Sequence, residues 1–228
     1  MTKNNNKPKA ILPRGFKDSE KQLLTLRKIV TEVIEEECQK FGFVELETSS
    51  IEYTDSLGKF LPDIDRPSGG VFSLQDEDGQ WLSLRYDLTA PLARYVAQNY
   101  QNLVKPFKRY QSGIVWRNEK PGPGRFREFL QFDADVIGIQ SNLIDAELCV
   151  MVVNILRKLG LNDSQFKIKY SNRKIWTSLF EKIKASKEVE SKILRAVDKK
   201  DRLGDEGVKE LEEIEREVER RIKEDEKS

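Results

Sequence analysis

Apolar or aromatic residues alternate with polar ones along two stretches near the middle of the chain, Tyr110 to Trp116 and Phe129 to Ile137. This pattern predicts β-strands, because successive strand side chains point to opposite faces. Between them lies a polar, Pro/Gly-rich connector, Arg117-Asn118-Glu119-Lys120-Pro121-Gly122-Pro123-Gly124-Arg125-Phe126-Arg127. Two strands joined this way predict an antiparallel hairpin with a long loop. In the second strand Gln131, Asp133 and Asp135 share one face, alternating with Phe132, Ala134 and Val136. A polar strand face beside a loop carrying Arg117, Arg125 and Arg127 can hold a small ammonium-bearing substrate next to a polyanion such as a triphosphate, since guanidinium forks pair with phosphate oxygens.

The helical period appears elsewhere. A helix capped by Asp18 or Ser19 is predicted to run to about Phe41, with Leu23, Leu26, Ile29, Val30, Val33 and Ile34 on one face and Gly42 as its stop. Phe43 to Glu47 reads as a strand, Ile51 to Pro62 as a short helix or loop, and Asp63 to Gly70 as a turn. Val71 to Leu74 and Trp81 to Leu84 form a hairpin around Asp78-Gly79. Thr89 caps a helix reaching about Tyr100, with Ala90 and Pro91 in its first turn. Asn142 to Leu159 reads as a helix with Leu143, Ala146, Val150, Val153 and Leu156 inward, and Phe166 to Tyr170 as a short strand. Helices follow near Ile175 to Ile183, Val189 to Val197 and Gly207 to Lys227, the last mostly charged with a narrow line of Leu211, Ile214, Val218 and Ile222.

These elements predict an α+β fold: a mainly antiparallel mixed sheet with packed helices and a helical C-terminal segment. Residues 1–10 read as a flexible arm, 11–172 as the core and 173–228 as a helical region. Of the 228 residues, 38% are hydrophobic and 35% charged, with a net charge of +1, so no global field draws the chain onto nucleic acid or membrane. Neither a signal core nor a run of transmembrane length is present, and the cytoplasm is the expected location. The two cysteines, Cys38 and Cys149, lack metal-site spacing and read as buried thiols. The chain contains 0 histidines, which excludes a histidine base, a catalytic triad and histidine metal ligands.

The segment from Trp116 to Gly138 resembles motif 2 of class II aminoacyl-tRNA synthetases, and more narrowly that of histidyl-tRNA synthetases. The motif runs aromatic-Arg-x-Glu, then Pro, then Gly-Arg-aromatic-Arg-x-Phe-x-Gln. The resemblance implies that Arg117 is catalytic and contacts the α-phosphate of ATP, that Glu119 meets the adenine side, and that Arg125 reaches ATP phosphates. It implies that Gln131 and Asp135 hold histidine, with Asp135 where the family more often has Glu and Leu130 where it often has His. Leu84-Arg85-Tyr86-Asp87-Leu88-Thr89-Ala90-Pro91 is similar to the family's amino-acid-binding segment, which gives Asp87 and Thr89 to the α-amino group and leaves Arg85 and Arg94 as structural or phosphate-side residues. Arg14-Gly15-Phe16-Lys17-Asp18 resembles the family's opening. The long helix followed by Gly42-Phe43 and a strand resembles its dimer-forming motif 1, with Ser49 where a proline is usual.

The resemblance therefore implies a histidine–tRNA ligase: ATP with Mg²⁺ and histidine as substrates, tRNA-His as acceptor, and a homodimer off the membrane. It reaches from about Ile11 to Glu210. The later catalytic-arginine segment and motif 3 do not follow, so a partial form is expected. One alternative is a non-ligating paralogue that senses histidine as a regulatory subunit in histidine biosynthesis; another is a purely structural module.

Overall fold

The computed structural model describes residues 10–57, 70–170, 172–187, 189–191, 193–194, 216 and 220. Two compact units are present, one ending at Ile168 and the other beginning at Lys169.

In the first unit, the hairpin is longer than the sequence pattern predicts. Strands β5 (Phe107–Trp116) and β6 (Glu128–Ile137) pair antiparallel over ten residues, from Phe107↔Ile137 to Trp116↔Glu128. Before them come α1 (Lys21–Lys40), β1 (Val44–Glu45), β2 (Ile51–Tyr53), α2 (Thr54–Leu57), β3 (Ser73–Gln75), β4 (Trp81–Leu84) and α3 (Thr89–Asn99). After them comes α4 (Asn142–Lys158). Strand β1 pairs parallel with β5, giving a mixed sheet of order β1-β5-β6. A second, antiparallel sheet has the order β2-β4-β3. The two sheets are stitched by backbone bonds at Arg85, whose N–H donates to the Ser50 carbonyl at 2.9 Å and whose carbonyl accepts from the Trp116 N–H at 3.1 Å.

The period of two separates the hairpin's faces. Tyr110, Phe132, Ala134 and Val136 turn toward α1 and α4, where they pack with Cys38, Phe43, Met151 and Ile155. The rings of Tyr110 and Phe132 stack at 5.8 Å between centroids. Burial pushes the Cys38 thiol up to about 11, as befits an inert core residue; Cys149, expected buried, is only half-buried. Helices α1 and α4 are also joined by a polar clasp. The buried Glu37 carboxylate accepts from Asn154 Nδ2 at 2.9 Å and pairs with Lys158 Nζ at 2.7 Å.

Several sequence expectations are corrected. Helix α1 starts after Glu20, which makes no side-chain cap, so neither Asp18 nor Ser19 caps it. Leu26 and Ile29 on its predicted inner face are exposed. Ile51 to Tyr53 is a strand, because β4 offers it a hydrogen-bonding edge. Helix α3 is capped by Asp87, whose Oδ1 accepts from the N–H groups of Thr89 and Ala90 at 3.1 and 2.9 Å, and not by Thr89. The inward face of α4 is Leu148, Met151 and Ile155; the predicted Leu143 and Val150 are exposed. Both rows are apolar, so periodicity alone does not choose between them. Phe166 to Tyr170 forms no strand, having no paired edge among the described residues.

In the second unit, α5 (Arg173–Lys182) is capped by Asn172, whose side chain accepts from the Lys174 N–H at 2.9 Å. Phe180, Ile183 and Ile193 form its small core, with Trp176, Ala185, Val189 and Leu194 around them. Most of the helix expected at Gly207 to Lys227, and the turn expected at 63–69, lie outside the described residues.

Glu37 sits below the usual carboxylate range, chiefly because Lys158 hydrogen-bonds it, which outweighs burial. A depressed pKa stabilises the fold above the ordinary glutamate value and loses that effect as pH falls through the folded-state pKa. Glu37→Gln should therefore cost about 1–3 kcal/mol near neutrality. Denaturant melts of both proteins over a pH series should show the gap closing only in acid.

Candidate active site

The face of β5 and β6 turned away from the helices is polar. Register places Arg109 opposite Asp135, Gln111 opposite Asp133, and Gly113 opposite Gln131. Gln131 Nε2 donates to both Asp133 oxygens, at 2.9 and 3.1 Å, and Thr89 Oγ1 at the start of α3 reaches Asp133 Oδ2 at 3.4 Å. Asp87 caps that same helix through Oδ1, with Oδ2 taking no part in the cap. Asp87, Thr89, Gln131 and Asp135, far apart in sequence, thus gather on one surface around Asp133.

Arg117 continues this face at the mouth of the loop. Its guanidinium lies 4.5 Å from the Tyr86 ring centroid and 5.0 Å from that of Phe129. The two rings hold the cation flat by cation–π attraction. Two long bonds orient it, Nε to the Tyr86 carbonyl at 3.3 Å and Nη2 to Gln131 Oε1 at 3.4 Å. The charge is positioned without being neutralised by any carboxylate among the described residues, an arrangement that suits an incoming anion.

Glu119 is fully engaged. Its Oε1 accepts from the Tyr86 hydroxyl at 2.5 Å, and its Oε2 pairs with Arg125. Burial alone would raise this carboxyl, but the Tyr86 and Arg125 bonds outweigh it and hold Glu119 below its ordinary value. The phenol is pushed up to about 12, first by burial and then by the bond to Glu119. Arg127, read from sequence as a third phosphate-facing cation, is a loop strut: its Nε donates to the Glu119 carbonyl at 2.9 Å and its N–H to the Gly15 carbonyl at 2.8 Å. Gly15 has φ +88°, and a Cβ there would meet Arg127 Cγ at 2.9 Å, so the early Arg14-Gly15 turn is fitted against this loop.

Arg85 and Arg94 are structural. Arg85 is buried and donates to the carbonyls of Ile114 and Thr48 at 2.8 and 3.0 Å. Its path crosses Gly113, where a Cβ would stand 2.5 Å from Arg85 Nη2. Arg94 Nε binds the buried Glu52 carboxylate at 2.6 Å.

The family described as Histidyl-tRNA synthetase matches residues 15–224. The chain belongs to the histidyl-tRNA synthetase family. It is 52% identical over 214 residues to the histidine–tRNA ligase of Bartonella bacilliformis, covering 92% of this chain and 43% of that relative. To the histidine–tRNA ligase of Rhodopseudomonas palustris (strain BisB18) it is 50% identical over 211 residues, covering 91% and 41%. The crystal structure of histidyl-tRNA synthetase from Nostoc sp. PCC 7120 matches with a TM-score of 0.76 at 27% identity, over 95% of this chain and 48% of that one. A Bacillus halodurans structure described as an ATP phosphoribosyltransferase regulatory subunit/histidyl-tRNA synthetase matches at 0.70 and 25% identity, over 86% and 48%. The chain thus spans less than half the length of each of these four relatives.

Within this family frame, sequence reading passed over three residues. Tyr86 lies one position before Asp87 in a stretch already singled out. Asp133 was placed on the polar face but given no role. Arg109 lies outside the strand expected from Tyr110; the strand begins three residues earlier, at Phe107, which sets Arg109 opposite Asp135.

If Glu119 holds the Tyr86 proton, Glu119→Gln should lower the phenol pKa from about 12 toward the ordinary tyrosine value. An alkaline ultraviolet titration, with Tyr86→Phe identifying the signal, reads this directly; an unmoved transition would refute the coupling.

Proposed function

We propose that this chain carries the histidine-binding and α-phosphate-binding part of a site that activates histidine with ATP for transfer to tRNA-His. The observation that supports this most directly is the 3.4 Å contact between Arg117 and Gln131. It joins an unneutralised guanidinium to an acid-lined surface, so an amino acid held by one side presents its carboxylate to a nucleotide held by the other.

In this reading Asp87 and Thr89 receive the α-ammonium group, while Gln131 and Asp135 hold the imidazole. Arg117 draws in the α-phosphate and stabilises charge as the histidine carboxylate oxygen attacks phosphorus and pyrophosphate leaves. Arg125 exchanges Glu119 for a nucleotide phosphate, freeing one Glu119 oxygen for the adenine amine. Such catalysis consists of positioning and preorganised electrostatics. Mg²⁺ arrives with the triphosphate as part of the nucleotide substrate.

Residues 11–172 are assigned to the catalytic core and 173–228 to a helical insertion. A homodimer is proposed through α1, whose Leu24, Leu26 and Ile29 are 44%, 57% and 51% exposed. Among the described residues no helix is long and apolar enough to cross a membrane, in keeping with a proposed cytoplasmic location. The regulatory-subunit alternative is disfavoured by the retained Arg117, Glu119 and Arg125, which suit ATP use.

Calorimetric titration with MgATP should detect binding, and Arg117→Ala should weaken it by more than about tenfold, equal to about 1.4 kcal/mol. Unchanged affinity would remove Arg117 from the nucleotide site. Histidine-dependent exchange of labelled pyrophosphate into ATP would separate a ligase site from a sensor.

A further inference from the structure

We propose that Arg109 is a positioning residue for substrate selection, fixing Asp135 as a carboxylate acceptor for an imidazole N–H, with the Thr48–Gln111 pair holding the guanidinium in place. This rests on the reading of Asp135 as a histidine contact.

Arg109 is 0% exposed, an unusual place for a permanent cation. The hairpin does not call for it, since its backbone pairing needs no particular side chain and its neighbours on the same strand face include Gly113 and Val115. Every contact of the fork points toward the substrate face or its support. Nη2 donates to the Leu88 carbonyl at 2.9 Å, beside the cap of α3. Nη1 donates to Gln111 Oε1 at 3.3 Å, and that oxygen also accepts from Thr48 Oγ1 at 3.0 Å. Nη2 also lies 2.9 Å from Asp135 Oδ2. Oδ2 nonetheless has no aligned hydrogen-bond donor, and Arg109 Nε and Gln111 Nε2 are likewise without partners among the described residues. The guanidinium therefore supplies charge to Asp135 through the buried Oδ2, while the side chain as a whole stays 27% exposed on the polar face, where a substrate N–H can meet it.

Three charged groups face Asp135: Arg109 from β5, Asp133 from its own strand, and Asp87 from the start of α3. Only Arg109 is a cation. Burial and the two acids push the Asp135 carboxyl up, and Arg109 opposes them. A neutral imidazole donates through one nitrogen and accepts through the other. An ionised Asp135 accepts only, so it selects a side chain that presents an N–H and fixes its tautomer. Once protonated, Asp135 offers a donor as well, and that selection is lost.

The test is histidine affinity of the full chain by calorimetry from about pH 6 to about pH 9, for wild type, Arg109→Lys and Arg109→Met. Because the ligand's own titration is common to all three, the affinity ratio isolates the protein. Arg109→Met should bind about tenfold or more weakly near neutrality, with the gap narrowing as pH rises and Asp135 ionises. Arg109→Lys, which keeps the charge but not the fork, should fall between. A ratio independent of pH would reduce Arg109 to a structural residue and overturn the proposal. Carboxyl carbon-13 NMR of Asp135, assigned with Asp135→Asn, gives a second readout free of ligand and of the Met variant's folding. Its midpoint should be higher in Arg109→Lys than in wild type, and identical midpoints would overturn the role. A wild-type chain that binds no histidine would remove the substrate reading, while the Asp135 titration would still decide whether Arg109 sets its charge.

Discussion

The ten-residue pairing of β5 with β6 is the constraint on which the rest of the molecule depends. Because strand side chains alternate, one register fixes two surfaces at once. On one side Tyr110, Phe132, Ala134 and Val136 supply the apolar floor for α1 and α4. On the other, Arg109, Gln111, Gln131, Asp133 and Asp135 line up as a polar surface. A slip of one residue would drive the charges into the core and the aromatic rings into solvent. The hydrophobic core therefore enforces the geometry of the candidate site.

Around that surface, most guanidiniums are committed to partners and Arg117 is not. Arg85 and Arg94 are consumed in holding sheets and helix together. Arg127 braces the loop against Gly15. Arg117, by contrast, lies between two rings with only long hydrogen bonds. Arg125 pairs with Glu119 at the surface, where an ion pair contributes little net stability. This division between structural and available guanidiniums supports the proposed reading of the loop as an anion receptor.

Much of this was legible in the sequence. The alternation in Phe129 to Ile137, the Pro/Gly connector and the motif-like order of Arg117, Glu119, Arg125 and Gln131 indicated the hairpin and the family, and pointed to the candidate site. The choice between Asp87 and Thr89 as the cap of α3 was open in the sequence, since both are polar and stand two positions apart at the helix start; the fold gives it to Asp87. The inward row of α4 was not legible, because α4 is apolar on more than one side and the 3.6-residue period carries no information about which side meets a sheet. The strand expected at Phe166 to Tyr170 failed for a related reason, since local propensity does not supply a partner edge.

What the sequence determined by itself were properties local in the chain: the helix stop at Gly42, the turn at Gly79, the period of each strand, and the chemical types offered at each position. Only the tertiary structure decided which of those groups meet. Arg109 and Asp135 stand 26 positions apart and become an ion pair through hairpin register. Tyr86 and Glu119 become a hydrogen-bonded pair because the segment after β4 meets the loop that follows β5. The physical reason is that a side chain's charge state and free lone pairs depend on burial and on neighbours distant in sequence, which no single stretch of the chain contains.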